Sequence, residues 1–320
     1  MNNENFQTFF DCGSSKVRAG IFNKNNQKEV FYSESEFFTD SSSLELKIQN
    51  IISCFEKNTN EYLKNINLMI DSSKMLSIGI STSKKRDGSK LTHANVQFLV
   101  QEAKQQILKH YKDYNIAHII INNYKIDNIN HLSLPDEINC NFISLDILFI
   151  CLPNELVLYF KNIFSKSNIL INQIICSSYA KSINYKDKLN LSGNILFVDV
   201  GFNKTSIISC FNDKILSLDI LPIGGNHITK DISKILEINL ERAEQIKLNF
   251  DQNFKFKNNE NISIEKLQKI IFARTEEILE LSVKSAQSNS LLLGQFKMVL
   301  MGEGSKILDN QYKDKISFSN

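Results

Sequence analysis

Apolar residues along this chain fall into short, nearly continuous or alternating runs that predict strands, and into runs spaced three and four apart that predict helices. Phe9-Phe10 ahead of Asp11 and Val17 to Phe22 after it read as the two arms of a hairpin. Leu44, Ile48, Ile51, Ile52 and Phe55 then recur at helical spacing, and a strand follows at Met75 to Ile80. The polar stretch Ser81 to Lys90 reads as a loop. A helix is expected from His93 to Lys109, a strand at Ala117 to Asn122, and irregular chain around Pro135. Leu145 to Leu152 is a nearly continuous apolar strand, and Glu155 to Phe164 a helix.

Later in the chain the hairpin pattern returns. Phe197-Val198 precedes Asp199, Ile207 to Phe211 forms the second arm, and Lys214 to Leu221 adds a third strand, giving a β-meander. Leu221-Pro222-Ile223-Gly224-Gly225 closes that strand with a glycine turn, and Asn226 or Thr229 can cap the helix beyond it. Asn239 suits the cap of the next helix, which carries Ala243, Ile246 and Lys247. Asp251 to Ser263 reads as a loop, Leu267, Ile271, Ile278 and Leu281 share one helical face, and Met298 to Met301 is a buried strand ending at Gly302. Asp309 to Asn320 reads as an unsupported tail.

The repetition of strand, Asp-x-Gly turn and strand at Asp11-Cys12-Gly13 and at Asp199-Val200-Gly201 implies two similar domains facing each other across a cleft. The chemistry of such a turn is specific. Small residues let backbone N–H groups approach a phosphate, and Ser14, Ser15 and Lys16 add hydroxyls and a charge. For one such turn alone, a plain Asp-Gly hairpin without ligand is the commoner reading. Two of them on one cleft can hold a triphosphate and Mg²⁺, with Asp11 and Asp199 acting on the metal through bound waters. Gly224-Gly225-Asn226 admits a functional reading beside that of a simple strand-to-helix turn. Glu244 and Lys247 lie one helical turn apart, where they bracket a ribose and adenine or form an ordinary surface pair. Gly302 and Gly304 permit close backbone approach to a nucleotide, and a plain turn would need glycine equally.

Composition narrows the class. The 320 residues, 42% hydrophobic and 22% charged, suit two domains better than one, and a net charge of +2 with scattered basic residues does not point to nucleic acid. Cys12, Cys54, Cys140, Cys151, Cys176 and Cys210 lack Cys-x-x-Cys spacing and nearby His ligands, so they read as buried thiols in a reducing cytoplasm. No stretch reaches the roughly 18 to 20 apolar residues of a membrane span, and the start of the chain is unlike an export signal.

Taken in order, DCGSSKVRAGIF, FVDVG, LPIGGNHITKDISKIL with AEQIK, and VLMGEG resemble the nucleotide motifs of the actin-like ATPase superfamily, and of the bacterial division protein family FtsA in particular. The resemblance implies an α/β, actin-like (ribonuclease H-like) two-domain ATPase fold with an FtsA-type inserted subdomain. Residues 1–80 plus 147–187 would form the first nucleotide-binding subdomain, 81–146 the insertion, 188–232 plus 293–320 the second nucleotide-binding subdomain, and 233–292 a helical subdomain. ATP and Mg²⁺ would be held by Asp11, Gly13, Ser14, Ser15, Lys16, Asp199, Gly201, Thr205, Gly224, Gly225, Asn226, Glu244, Lys247, Gly302 and Gly304.

Two departures stand inside the motifs. Phe202-Asn203-Lys204 follows the second Asp-x-Gly, where the family has glycines, and Glu303 stands where the family tends to have Gly. Hydrolysis is therefore expected to be slow or absent. The family also continues to an amphipathic membrane-binding helix that has no counterpart after Gly304, so the chain reads as a fragment or as a relative without its anchor. Arg274, on an apolar seam, either pairs locally with Glu277 or Glu280 or, as the resemblance implies, lies where the C-terminal tail of FtsZ binds.

The implied role is a division adaptor at the inner face of the cell membrane. It would self-associate into filaments, link FtsZ to the divisome, contact other division proteins through the insertion, and reach the membrane only indirectly or through a segment absent here. Two alternatives are a peptide-binding scaffold like the pilus-assembly relatives and a small-molecule kinase of the same superfold. The kinase would need a general base beside its acceptor, and none is evident.

Overall fold

The computed structural model describes residues 6–36, 43–59, 61–135, 138–250, 263–288 and 295–308. The expected tail and most of the expected loop after Asp251 lie outside them. Along the chain the elements are β1 (Phe6–Cys12), β2 (Lys16–Asn23), β3 (Glu29–Glu36), α1 (Leu44–Thr59), β4 (Asn65–Ile70), β5 (Leu76–Lys85), α2 (His93–His110), β6 (Tyr114–Ile126) and β7 (Ile129–His131). There follow β8 (Phe142–Pro153), α3 (Asn154–Ser165), β9 (Leu170–Cys176), α4 (Ser177–Lys188), β10 (Ile195–Val200), β11 (Thr205–Phe211) and β12 (Lys214–Leu221). Helices α5 (Gly225–Leu236), α6 (Leu240–Leu248) and α7 (Ile264–Ser288), strand β13 (Lys297–Met301) and a 3-10 helix (Glu303–Leu308) complete the described chain.

Three sheets result among the described residues. The first has the order β3-β2-β1-β4-β9, the second β12-β11-β10-β13, and the third β5-β8-β6-β7. In the first two an antiparallel meander continues into a parallel neighbour, β4 beside β1 and β13 beside β10, so the repeat seen in the sequence is a repeat of topology. The turn geometry repeats as well. Gly13 N–H donates to Lys16 O, and Gly201 N–H donates to Lys204 O, each at 2.9 Å.

Alternation explains which side chains reach the site. On β1 and β2, Phe10, Cys12, Val17, Ala19 and Ile21 point into the core, which leaves Asp11, Lys16 and Arg18 on the opposite face. Strand β10 is buried throughout. Ile195 and Phe197 join the core of the first half while Leu196, Val198 and Val200 face α7, so one apolar cluster runs across both halves. Helices α5, α6 and α7 bury Ile228, Ile232, Ala243, Ile246, Leu267 and Ile271 against one another.

The third sheet extends beyond what the pattern predicts. Strand β5 continues to Lys85 and pairs with β8 along its length, so the expected polar loop from Ser81 is a strand with one wet face. Strand β8 reads as continuously apolar because both faces are covered: Leu148, Ile150 and Leu152 by the first core, Ile147, Phe149 and Cys151 by the core that includes Leu99 and Ala103 of α2. This sheet also grips the second half, with Asn122 Nδ2 donating to Ile215 O at 2.6 Å and Leu218 N–H to Ser77 Oγ at 3.1 Å.

Two smaller expectations change. The α5 cap is Gly224, whose N–H donates to His227 Nδ1 at 3.2 Å, and not Asn226 or Thr229. Asn239 does cap α6, accepting from Arg242 N at 2.8 Å. All six cysteines are free, but Cys54 is exposed and only the other five are buried.

Candidate functional site

The two Asp-x-Gly turns converge on one cavity of about 430 Å³, lined by Asp11, Gly13, Ser14 and Ser15 from the first half and by Asp199, Gly201 and Gly302 from the second. A second cavity of about 250 Å³ meets it at Ser15, Gly201, Phe202 and Glu303, and runs on to Lys16, Gly225, Glu244, Lys247 and Gly304. The sequence-predicted residues are thus brought together, with three exceptions. Thr205 is fully buried and donates to Ile223 O at 2.7 Å, away from either cavity. Gly224 packs on the backbone of Gly201 and Phe202, where a Cβ would come within 2.5 Å and 2.7 Å of their carbonyl oxygens. Asn226 donates from its backbone to Phe202 O at 2.7 Å and from its side chain to Asn203, clamping the second turn.

Asp199 sits at the floor of the first cavity. Its Oδ2 accepts from Lys181 Nζ at 3.1 Å, while its buried Oδ1 has no hydrogen-bond partner. Gly302, at φ +83°, passes so close that a Cβ there would strike that oxygen. A buried carboxylate oxygen without a hydrogen-bond partner is rare in native structures. Burial raises the pKa of Asp199, Lys181 lowers it in part, and Asp71 and Asp11 add to the rise.

Asp71, Ser177, Lys181 and Tyr185 line the cavity without belonging to any motif, and Arg18 and Lys204, which lie within the two turn motifs but are not among the expected ligands, line it too. Asp71 ends β4, at the carboxyl edge of a parallel strand, and accepts from Ser178 N–H at 3.0 Å and Cys176 Sγ at 3.1 Å. Ser177 Oγ donates to Asp11 Oδ1 at 2.8 Å. Burial opposes the charge of Lys181, yet Asp199, Asp11 and Asp71 together raise its pKa, so it is an ammonium ion. Lys204 makes no ion pair among the described residues, and burial pulls its pKa down. The repeat itself held a signal for Lys204, since it occupies the place in the second turn that Lys16 occupies in the first.

Glu303 closes the mouth. Its carboxylate accepts from Arg18 Nη2 at 2.5 Å and pairs with Lys16 at 3.2 Å, tying the second half to the first. Burial works against the charge of Lys16, but Glu36, Glu34 and Glu303 raise its pKa well above the usual lysine range. Glu244 and Lys247 are not a surface pair. Both are buried, 2.6 Å apart, and Lys247 also donates to Gly225 O and Thr229 Oγ1 at 3.0 Å and 2.8 Å.

Whether a divalent ion fits between Asp11 and Asp199 can be read from their oxygens. Asp11 is taken by Ser177 and, at 3.5 Å, by Arg18, and Asp199 Oδ2 by Lys181, while Oδ1 of Asp199 is buried beneath Gly302. Magnesium needs six oxygen ligands in octahedral array, and the nearest positive charge to Asp199 is already an ammonium. These residues do not fit a metal as they stand. Arg274, the residue expected to bind a partner, is paired with Asp231 at 2.7 Å and with Glu277 at 2.5 Å.

Comparison with known proteins agrees with this architecture. Residues 196–302 match the family model of the cell division protein FtsA. The chain is 24% identical to FtsA of Borreliella burgdorferi over 167 residues, which is 49% of this chain and 38% of that protein. It is 26% identical to FtsA of Neisseria meningitidis over 171 residues, 52% of this chain and 40% of that one. The aligned part thus spans about two fifths of the length of these relatives. Among solved structures, a PilM-PilN type IV pilus biogenesis complex superposes with a TM-score of 0.68 over 95% of this chain and 83% of its own, at 14% identity. MreB5 of Spiroplasma citri bound to ADP superposes at 0.50 over 98% of this chain and 90% of its own, at 12% identity. The chain has the actin-like ATPase fold, with FtsA-like sequence across its second sheet and the helices attached to it.

Proposed function

We propose that this chain is an actin-like scaffold of the bacterial cell-division type, which binds ATP between its two halves, assembles into filaments and links FtsZ to other division proteins at the inner face of the membrane. The FtsA likeness over residues 196–302 supports the division role. The observation that carries the nucleotide part is the convergence of both Asp-x-Gly turns, with their aspartates Asp11 and Asp199, on one cavity. On this reading residues 1–80 and 147–187 hold one side of the nucleotide, 188–232 and 293–320 the other, 233–292 form the helical subdomain, and 81–146 are the inserted subdomain.

Hydrolysis is slow or absent on this reading. Asp11, Asp71 and Asp199 are each engaged by a neighbour, so none stands free to activate water, and Phe202 occupies the junction of the two cavities. An acidic FtsZ tail would exchange with Asp231 and Glu277 for Arg274. The test is a titration of the purified chain with a fluorescent ATP analogue, beside Asp11→Ala and Asp199→Ala, followed by sedimentation of assemblies with and without nucleotide. Loss of binding in both variants is expected. Full binding by both would sink the nucleotide reading.

One observation favours a second reading, a peptide-binding scaffold. A groove of about 710 Å³ runs between β6 and the edge strand β9, lined by His118, Lys161, Gln173, Ile174, Tyr179 and Ile183. An exposed strand edge beside a half-apolar groove is a place where an extended peptide adds. Binding of an apolar peptide here, abolished by Ile174→Glu and unaffected by Asp199→Ala, would favour it.

A further inference from the structure

We propose that Lys181 is a built-in cation standing where an actin-like site would take a divalent metal, so that this cleft binds a nucleotide polyphosphate without metal. The inference rests on reading the cleft as a nucleotide site. Three observations carry it. First, Lys181 does not reach the cavity by chance of a surface side chain. Helix α4 is bolted at its start to both carboxylates of the first half, Ser177 Oγ to Asp11 at 2.8 Å and Ser178 N–H to Asp71 at 3.0 Å, and the following turn delivers Lys181 to Asp199 Oδ2 at 3.1 Å. The ammonium therefore lies between carboxylates of the two halves.

Second, the carboxylate oxygens are spoken for. Asp11 is engaged by Ser177 and Arg18, Asp71 by Ser178 and Cys176, and Asp199 by Lys181, with Asp199 Oδ1 buried beneath Gly302. A hard divalent ion collects oxygens, and a set already engaged by fixed donors leaves it few to take. Third, the cavity keeps a cation in reserve. Lys204 lines it from the second half with no ion pair among the described residues, and Arg18 lines it from the first. Lys181, Lys204 and Arg18 thus face Asp11, Asp71, Asp199 and Glu303 in one cavity, with Arg18 shared between Asp11 and Glu303. Each aspartate holds a fixed donor before any ligand arrives, and an incoming phosphate meets lysine and arginine donors directly.

The experiment is the fluorescent-ATP titration of the full chain in excess EDTA and in saturating MgCl₂, repeated with Lys181→Met and Lys181→Arg. The wild type and Lys181→Arg are expected to bind equally, within about twofold, in both buffers. Lys181→Met is expected to lose at least about tenfold in EDTA and to recover part of it in MgCl₂, because the freed Asp199 can then take a metal. A wild type that binds about tenfold or more tightly with magnesium overturns the inference while leaving the nucleotide site intact. A wild type that binds in neither buffer removes the nucleotide reading itself. Should Lys181→Met fail to fold, the wild-type comparison of the two buffers still decides the matter.

Discussion

Gly302 closes directly over Asp199: its backbone sits at φ +83°, and a Cβ there would overlap Oδ1 of the aspartate and lie 2.6 Å from Val200 O. Both the left-handed backbone and the missing side chain are needed at this point. Gly302→Ala is therefore expected to destabilise the chain by about 1–3 kcal/mol in urea unfolding and to abolish nucleotide binding. Gly79→Ala, on exposed β5 with nothing within 4 Å of its Cβ, serves as the control and should change stability by less than about 0.5 kcal/mol. Equal effects at the two sites would show that Gly302 is an ordinary turn.

Glu303 holds the mouth of the cleft through Arg18 and Lys16, the two cations that an incoming phosphate would also seek. Its side chain is 43% exposed, so the contact is screened by salt. Glu303→Gln is expected to raise nucleotide affinity by about fivefold at low ionic strength, with the gain shrinking as salt is added. Titrations at two salt concentrations check this. Unchanged or weaker binding by the variant would mean that the carboxylate supports the ligand instead of competing with it.

The parts of the site that were legible in sequence are those whose signal is local. An Asp-x-Gly turn between alternating strands announces itself, and so do the β10 to β12 meander and the Asn239 cap. Helix α4 did not, for a physical reason. The residues it buries most fully are Ser177, Ser178 and Ser182, so it has no apolar stripe to reveal its period, and Lys181 was hidden with it. Strand β9 is broken in pattern by Asn172 and Gln173, and β3 alternates glutamate and serine along an edge. Asp71 was missed because β4 is a short apolar run with little alternation, which period alone does not separate from a buried helix segment. Glu244 and Lys247 were found, but their burial was not, because helical spacing says which residues are neighbours and not which face is covered.

That buried pair makes its own prediction. Lys247 is 4% exposed and Glu244 7%, and burial pulls the lysine pKa down in spite of its partner, so the pair persists at a desolvation cost. Lys247→Met alone leaves the Glu244 carboxylate buried without its partner and is expected to cost about 3–5 kcal/mol. The double change Glu244→Leu with Lys247→Met should recover most of that loss, since Thr229 keeps its bond to Gly225 O. Denaturant unfolding of the three variants forms a double-mutant cycle. Additive losses would contradict the coupling.

His118 gives the pH dependence. Its Nε2 accepts the N–H of Cys176 at 2.9 Å and its ring lies 4.6 Å from that of Tyr179, an arrangement open only to the neutral imidazole. Burial lowers its pKa from 6.5 to about 4, with Asp71 acting in the opposite sense. The folded form thus disfavours the proton that the unfolded chain takes up near its ordinary pKa. Stability from this site is complete above pH 6.5 and is lost progressively as pH falls toward about 4, where the folded form protonates too. Urea midpoints measured across that interval should fall more steeply for the wild type than for His118→Asn, whose amide oxygen can accept the same bond without titrating. Parallel pH profiles would mean that another group, such as the carboxylates around Lys181, governs acid unfolding, and that the β6–β9 groove keeps its shape when the imidazole is charged.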